Sequence, residues 1–226
     1  LSLDIQPLLV KSADRVLLFD TGAGANFGGA GGQLLQSLAA AGVDAGGVTD
    51  IFISHAHGDH IGGLLNAEGK LTFPNATVHL GAADWTFLQG LTPETGPNYG
   101  VPQPAALVAG LSPKIDAFAP GAELIPGVVK AVEIRGHTPG HSGYLIGSGA
   151  NSVLYIGDTM HHYVISVQKP DWKVAFDGDA PTAQKSRNEV LAQSVANGQR
   201  IYAVHFPYPG VGKFERNDQG YVWKAE

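Results

Sequence analysis

The chain has nine histidines and no cysteine. Five of those histidines fall with two aspartates into an ordered pattern. Ser54-His55-Ala56-His57-Gly58-Asp59-His60 follows the apolar run Ile51-Phe52-Ile53, and Gly136-His137-Thr138-Pro139-Gly140-His141 follows residues 128–134. Gly157-Asp158-Thr159 follows residues 153–156, and His205 closes the run at 201–204. Imidazole nitrogen and carboxylate oxygen are donors that a divalent ion such as zinc accepts. His55 and His57, two apart in an extended segment, reach the same side, and His137 completes three nitrogen ligands for a first metal. Asp59 and His60, at the start of a short helical pattern, turn toward a neighbouring position and with His205 hold a second metal. Asp158 lies between them as a bridging carboxylate. Two ions about 3.5–4 Å apart clamp a shared water and make hydroxide available near neutral pH, so no Ser or Cys nucleophile is required. Zinc is the default ion; manganese, iron or cobalt suit the same donors. Asp59 and Asp158 are the residues expected closest to the chemistry, Asp59 orienting the hydroxide.

Every candidate ligand sits just past the end of an apolar strand, where a rigid sheet can assemble a site from loops. Strands are expected at 5–10 and 16–19, joined by a polar turn at 11–14, then at 51–53, 76–80, 128–134, 143–146, 153–156 and, last, 201–204. A glycine-rich loop spans 22–32. A helix is expected at 33–41, with Leu34, Leu35 and Leu38 on one face and Gly42 as its stop, and a shorter one at 82–89. The longest helix should run over 182–196, with Val190, Leu191 and Val195 facing inward and Gly198 ending it. Residues 90–104 form the longest irregular stretch, and long loops in compact domains are often functional. Strands and helices alternate throughout, which reads as one α/β domain over residues 1–226.

Composition removes other readings. Without cysteine there is no disulfide scaffold, zinc ribbon or thiol nucleophile. A hydrophobic share of 44% with a net charge of −6 argues against disorder, and 31 glycines argue against a long coiled coil. No apolar run reaches the ~18 residues of a membrane span, and the acidic balance argues against a nucleic-acid partner. A small-molecule substrate is the partner expected.

The H-x-H-x-D-H run, the later G-H-T-P-G-H and the G-D-T turn resemble the metallo-β-lactamase superfamily of metal hydrolases. Leu17-Leu18-Phe19-Asp20-Thr21-Gly22 is similar to the strand and D-T-G turn that precede the metal loop there. Residues 205–212, residues 24–28 with Phe27, and Phe73-Pro74-Asn75-Ala76 resemble the methyl parathion hydrolase group, which includes organophosphate hydrolases and lactonases. The resemblance implies a four-layer αβ/βα sandwich: two mixed β-sheets flanked by helices. It also implies that strands before residue 5 are missing, and a homodimer is kept open. The reaction implied is cleavage of an ester-type bond in a phosphotriester, aryl ester or lactone. Thioester hydrolysis of the hydroxyacylglutathione type and β-lactam hydrolysis are alternatives, and a non-catalytic or RNA-processing member of the fold is the remote one. Asp158 stands where zinc β-lactamases commonly carry Cys, which favours the ester class.

Around the ligands, Asp20 is a candidate to orient a ligand histidine, with turn initiation as the competing reading. Phe27, Trp85 and Phe87 are candidates for an apolar pocket, against ordinary core packing, and Tyr208 for a contact with the leaving group. His141 is read as bonding nearby backbone and His79 as structural. His161 and His162 are read as pocket residues or as part of a polar loop.

Overall fold

A computed structural model of the chain describes residues 2–26, 28 and 31–226. The chain divides into two compact units, Pro7–Ala119 and, with the residues up to Gln6, Pro120–Glu226.

In the first unit a five-stranded mixed sheet runs in the order β1-β2-β3-β4-β5. β1 (Leu8–Ser12) and β2 (Arg15–Phe19) form an antiparallel hairpin. β3 (Asp50–Ile53), β4 (Thr77–Gly81) and β5 (Ile115–Phe118) continue in parallel with β2. Side chains alternate across a strand with a period of two. Leu18, Ile51, Ile53, Val78 and Leu80 therefore enter one core with Leu38, Leu88, Leu107 and Leu111 from the helices. Phe19, Phe52 and His79 stack on the opposite face, with ring centroids 4.9 and 4.6 Å apart. β3 is buried along its whole length, as a central parallel strand covered on both faces must be. The helices are α1 (Leu34–Ala40), α2 (Gly58–Ile61), α3 (Ala82–Gly90) and α4 (Pro104–Leu111). Leu35 does not share the inward face of α1 with Leu38: it is 49% exposed. α4 follows the irregular stretch, which itself contains a 3-10 turn at Gly96–Tyr99.

In the second unit a seven-stranded mixed sheet has the order β12-β11-β10-β9-β8-β7-β6. Its strands are β6 (Glu123–Ile125), β7 (Val129–Glu133), β8 (Ser142–Ile146), β9 (Val153–Tyr155), β10 (Arg200–Tyr202), β11 (Val211–Asn217) and β12 (Gly220–Ala225). Only β9 and β10 pair in parallel, and a parallel pair needs a long crossover. That crossover carries α5 (Ile165–Gln168) and α6 (Ala180–Asn197). Asp179 caps α6 by accepting from the Thr182 amide, and Gly198 ends it at φ 60°, the left-handed stop that glycine provides. Val190 and Leu191 pack with Ile134, Leu154, Ile156, Ile201 and Phe214 into the core of this unit. The run at 201–204 is not the last strand. β11 and β12 follow as a hairpin whose exposed positions carry Lys213, Glu215 and Lys224, and those charges hide the strand pattern. No described helix is long and apolar enough to cross a membrane.

Each sheet is mixed and carries helices, which is the α/β organisation expected.

Candidate metal centre

In the first unit the donors come from one loop. β3 ends at Ile53, and a bent segment over residues 54–57 leads into α2, with His57 extended at the N-cap position. His55 and His60 are buried, while His57 and Asp59 are half-buried. The ring of His55 lies 4.5 Å from that of His57 and 4.1 Å from that of His60. Asp59 Oδ2 is 3.5 Å from His60 Nε2.

Asp20, at the end of β2, organises this loop. Its Oδ1 accepts from the Ser54 amide at 2.7 Å and its Oδ2 from the Ser54 hydroxyl at 2.7 Å. His60 Nδ1 lies 2.7 Å from the same Oδ2. A carboxylate only accepts, so His60 Nδ1 carries the proton and its lone pair sits on Nε2. The Ser54 hydroxyl has spent its proton on Asp20 and accepts from His55 Nδ1 at 3.0 Å, which puts the His55 lone pair on Nε2 as well. Asp20 adopts φ 56°, a left-handed conformation that Asp tolerates better than most residues. Buried Asp84 fixes the next step of the loop, accepting from the Ala56 amide at 2.8 Å. Tyr99 stacks on His57 at 5.5 Å. A Cβ on Gly58 would stand 2.1 Å from the Gly100 carbonyl oxygen, so only glycine allows this approach.

In the second unit β7, β9 and β10 run in one direction, because β7 and β9 each pair antiparallel with β8 and β10 lies parallel to β9. Their C-terminal ends therefore emerge at one edge of the sheet, and His137, Asp158 and His205 follow them there. All three are buried. Asp158 Oδ2 lies 3.2 Å from His137 Nε2 and 3.2 Å from His161 Nε2, and Oδ1 lies 2.9 Å from His205 Nε2. The ligand atoms of His137, Asp158 and His161 fall within 4.8 Å of one another.

Partners on the far side of each ring set these orientations. His137 Nδ1 bonds Asp177 Oδ1 at 3.1 Å. Asp177 Oδ2 accepts from Arg187 at 3.0 Å, and that fully buried guanidinium also donates to the carbonyls of Thr159 and Pro170. His205 Nδ1 donates to the Asp4 carbonyl at 2.6 Å. His141 donates from Nδ1 to the Ile134 carbonyl and accepts the Asp158 amide at Nε2, so it holds Asp158 through the backbone. Burial alone lowers the His137 pKa, but Asp158 and Asp177 outweigh it and lift the imidazole to about 9. Burial pushes the Asp177 carboxyl up, and His137 and Arg187 hold it below its usual value. Burial drives the His161 imidazole down.

The donor chemistry fits divalent transition ions. Imidazoles turned inward through Nε2, which release a proton there when an ion binds, together with carboxylate oxygens, are ligands that such ions take, and the far-side hydrogen bonds are the usual means of fixing ligand orientation. The structure thus groups His55, His57, Asp59 and His60 in one unit and His137, Asp158 and His205 in the other.

Of the pocket candidates, Trp85 and Phe87 pack against the core of the first unit, and Phe87 meets Tyr99 edge-on at 5.0 Å. Tyr208 is 87% exposed, and Phe27 lies outside the described residues. Asp84, Asp177 and Arg187 escape a reading of the sequence. For Arg187 a signal exists: it lies three and four residues before Val190 and Leu191, on the inward stripe of α6.

A family model of the metallo-beta-lactamase superfamily matches residues 6–205, and the chain belongs to that superfamily and has its fold. The uncharacterized protein YobT of Bacillus subtilis (strain 168) is 30% identical over 156 residues, 66% of this chain and 59% of that protein. The chain thus spans less than two thirds of that relative's length. Among solved structures, AidC is described as a dizinc quorum-quenching lactonase in complex with a product, N-hexnoyl-L-homoserine. It superposes with a TM-score of 0.91 at 32% identity, over 99% of this chain and 80% of AidC. The hydrolase AbOPH of the beta lactamase superfamily gives a TM-score of 0.88 at 28% identity, over 99% of this chain and 80% of its own.

Proposed function

We propose that the chain is a metal-dependent hydrolase that holds two divalent ions, zinc by default, and opens a lactone or cleaves a related neutral ester. His55, His57 and His137 are assigned to one ion, Asp59, His60 and His205 to the other, and Asp158 to both. One observation carries this reading: the buried Asp158 carboxylate is ringed by imidazole nitrogens, two of them steered inward by Asp177 and by the Asp4 carbonyl. The likeness to AidC supports both the pair of ions and the lactone class.

Ions bound by such donors supply Lewis acidity and lower the pKa of water toward neutrality. The protein contributes orientation. Asp20 and Ser54 hold His60 and His55 in the tautomer that offers Nε2, and Asp177 does the same for His137. Asp59, with its side chain 24% exposed, is the carboxylate open to an attacking water and orients it. A cleft of about 240 Å³ beside α2, lined by Asn26, Ile61, Leu65, Val101 and Leu107 among others, suits the apolar part of a substrate. An aryl phosphotriester or aryl ester is the second choice of substrate, on the resemblance of residues 205–212 to the methyl parathion hydrolase group.

The test is metal analysis followed by a panel: an acyl-homoserine lactone, an aryl ester, an aryl phosphotriester, a glutathione thioester and a cephalosporin. Two ions per chain and fastest turnover of the lactone are expected, with activity lost on chelation and in His57→Ala and Asp158→Ala. Turnover of the thioester or cephalosporin alone would remove the ester reading, and full activity after chelation would remove the metal.

A further inference from the structure

The seven assigned donors leave one imidazole unexplained. His161 is 7% exposed, and among the described residues neither of its ring nitrogens makes a well-aligned hydrogen bond. Its Nε2 lies 3.2 Å from Asp158 Oδ2, within ion-pair reach, and its Nδ1 is left over. The ring is firmly placed. The His161 and His162 amides both donate to Ser166 Oγ at the start of α5, at 3.2 and 3.1 Å. The ring lies parallel to His205 at 5.8 Å, tilted against His137 at 5.1 Å and against Phe176 at 5.9 Å.

Buried polar atoms in folded proteins are nearly always satisfied. Among the described residues the Asp158 carboxylate is the one group that reaches this ring, at Nε2, and a cation held on that carboxylate would take the imidazole lone pair. The two carboxylate oxygens also divide the neighbouring histidines: Oδ2 faces His137 and His161, and Oδ1 faces His205.

We propose that His161 is a metal ligand, an eighth donor that serves the same ion as His137 and Asp158 Oδ2. The inference builds on the two-ion reading and adds a consequence. Zinc in a four-coordinate site has no place for a further imidazole. An ion offered His55, His57, His137, His161 and Asp158 meets more donors than that. Such a set favours manganese, iron or cobalt, which accept five or six ligands, at this position.

Cobalt(II) reports coordination number directly, because its visible d–d absorption weakens as the number rises above four. The apoprotein is loaded with cobalt and compared with His161→Phe and His161→Asn, with circular dichroism confirming the fold. The wild type is expected to show weak absorption for one of two ions. The variants should intensify it several-fold and release that ion to a chromophoric chelator at least ten times faster. Proton NMR of the cobalt-loaded wild type gives a measure that needs no variant: one more hyperfine-shifted imidazole N–H than His55, His57, His60, His137 and His205 account for. Unchanged absorption and release in folded variants, or no additional N–H, overturns the proposal while two ions still bind. A wild type that binds a single ion overturns the two-ion reading instead, and the spectrum of that ion with and without His161 still decides the ligand.

Discussion

The imidazole of His60 donates from Nδ1 to the carboxylate of Asp20 at 2.7 Å, across a separation of 40 positions in the chain. The same carboxylate takes both the amide and the hydroxyl of Ser54, and Ser54 in turn accepts from His55. One acidic side chain at the end of β2 thus sets the tautomer of two proposed ligands at the end of β3. The parallel register, Leu18 beside Ile51 and Phe19 beside Phe52, brings the two strand ends together. Replacing Asp20 by Asn offers one acceptor oxygen to three donors. Asp20→Asn should weaken metal binding about 10–100-fold, read by competition with a chelator. Wild-type affinity in that variant would remove Asp20 from the positioning of His60.

Asp177 plays the matching part for His137, but it is also the counter-charge of Arg187, and both side chains are fully buried. Removing one member of a buried pair leaves the other charge uncompensated, at a cost of about 3–5 kcal/mol. Asp177→Asn should therefore lower both metal affinity and stability to denaturant. Arg187→Met in the same background should restore part of the stability, since the stranded charge is gone, but none of the metal affinity. Recovery of both would mean that His137 is held by packing alone.

The proposed ligands are legible in the sequence because each lies in a short motif behind an apolar run, so local patterning both finds the residue and places it at a strand end. The groups that hold them are not. Asp177 sits in an irregular segment 40 positions from His137, and Asp84 reaches the Ala56 amide from α3, 28 positions away. No periodicity connects such pairs; tertiary structure alone makes them neighbours. Asp20 is partly legible through its D-T-G turn. The sheet edges are read less well than the centres. β11 sets Lys213, Glu215 and Arg216 among its apolar residues on a seven-stranded sheet, whereas β9 and residues 51–53 of β3 are continuous apolar runs that stand out at once. Leu35 fits the helical spacing of α1 and is nevertheless exposed, since spacing fixes which residues share a stripe but not how wide the covered stripe is.

Gly58 and Gly100 test how tightly the segment before α4 is pressed on the loop that carries the proposed ligands. A methyl group on Gly58 would meet the Gly100 carbonyl at 2.1 Å, and backbone must move to admit it. Gly58→Ala should cost about 1–3 kcal/mol and displace His57 and Asp59. Misplacement near 1 Å is worth about 100-fold in rate. Gly90→Ala is the control, because a Cβ there meets nothing within 4 Å. Equal activity and equal melting temperature of the two variants would show that the loop yields freely.

Asp50, at the start of β3 and away from the ligand loop, predicts a pH dependence of stability. Burial raises its pKa, but hydrogen bonds from His79, Thr49 and Arg15, with the Arg15 charge, outweigh burial and hold it at about 2, against an ordinary value of 3.8. A folded-state pKa below the unfolded one means that the unfolded chain binds the proton first. The contribution is therefore complete above pH 3.8, declines as the pH falls, and is gone once the pH passes below about 2. Asp50→Asn removes the charge at every pH. Relative to the wild type it should be destabilised by about 1–3 kcal/mol at neutral pH, with the gap closing steadily below pH 4. Urea midpoints of both proteins at a series of pH values between 7 and 2.5 measure this. A gap that stays constant down to the lowest pH would show that Asp50 stabilises the sheet by hydrogen bonding that an amide cannot supply, with no part played by its charge.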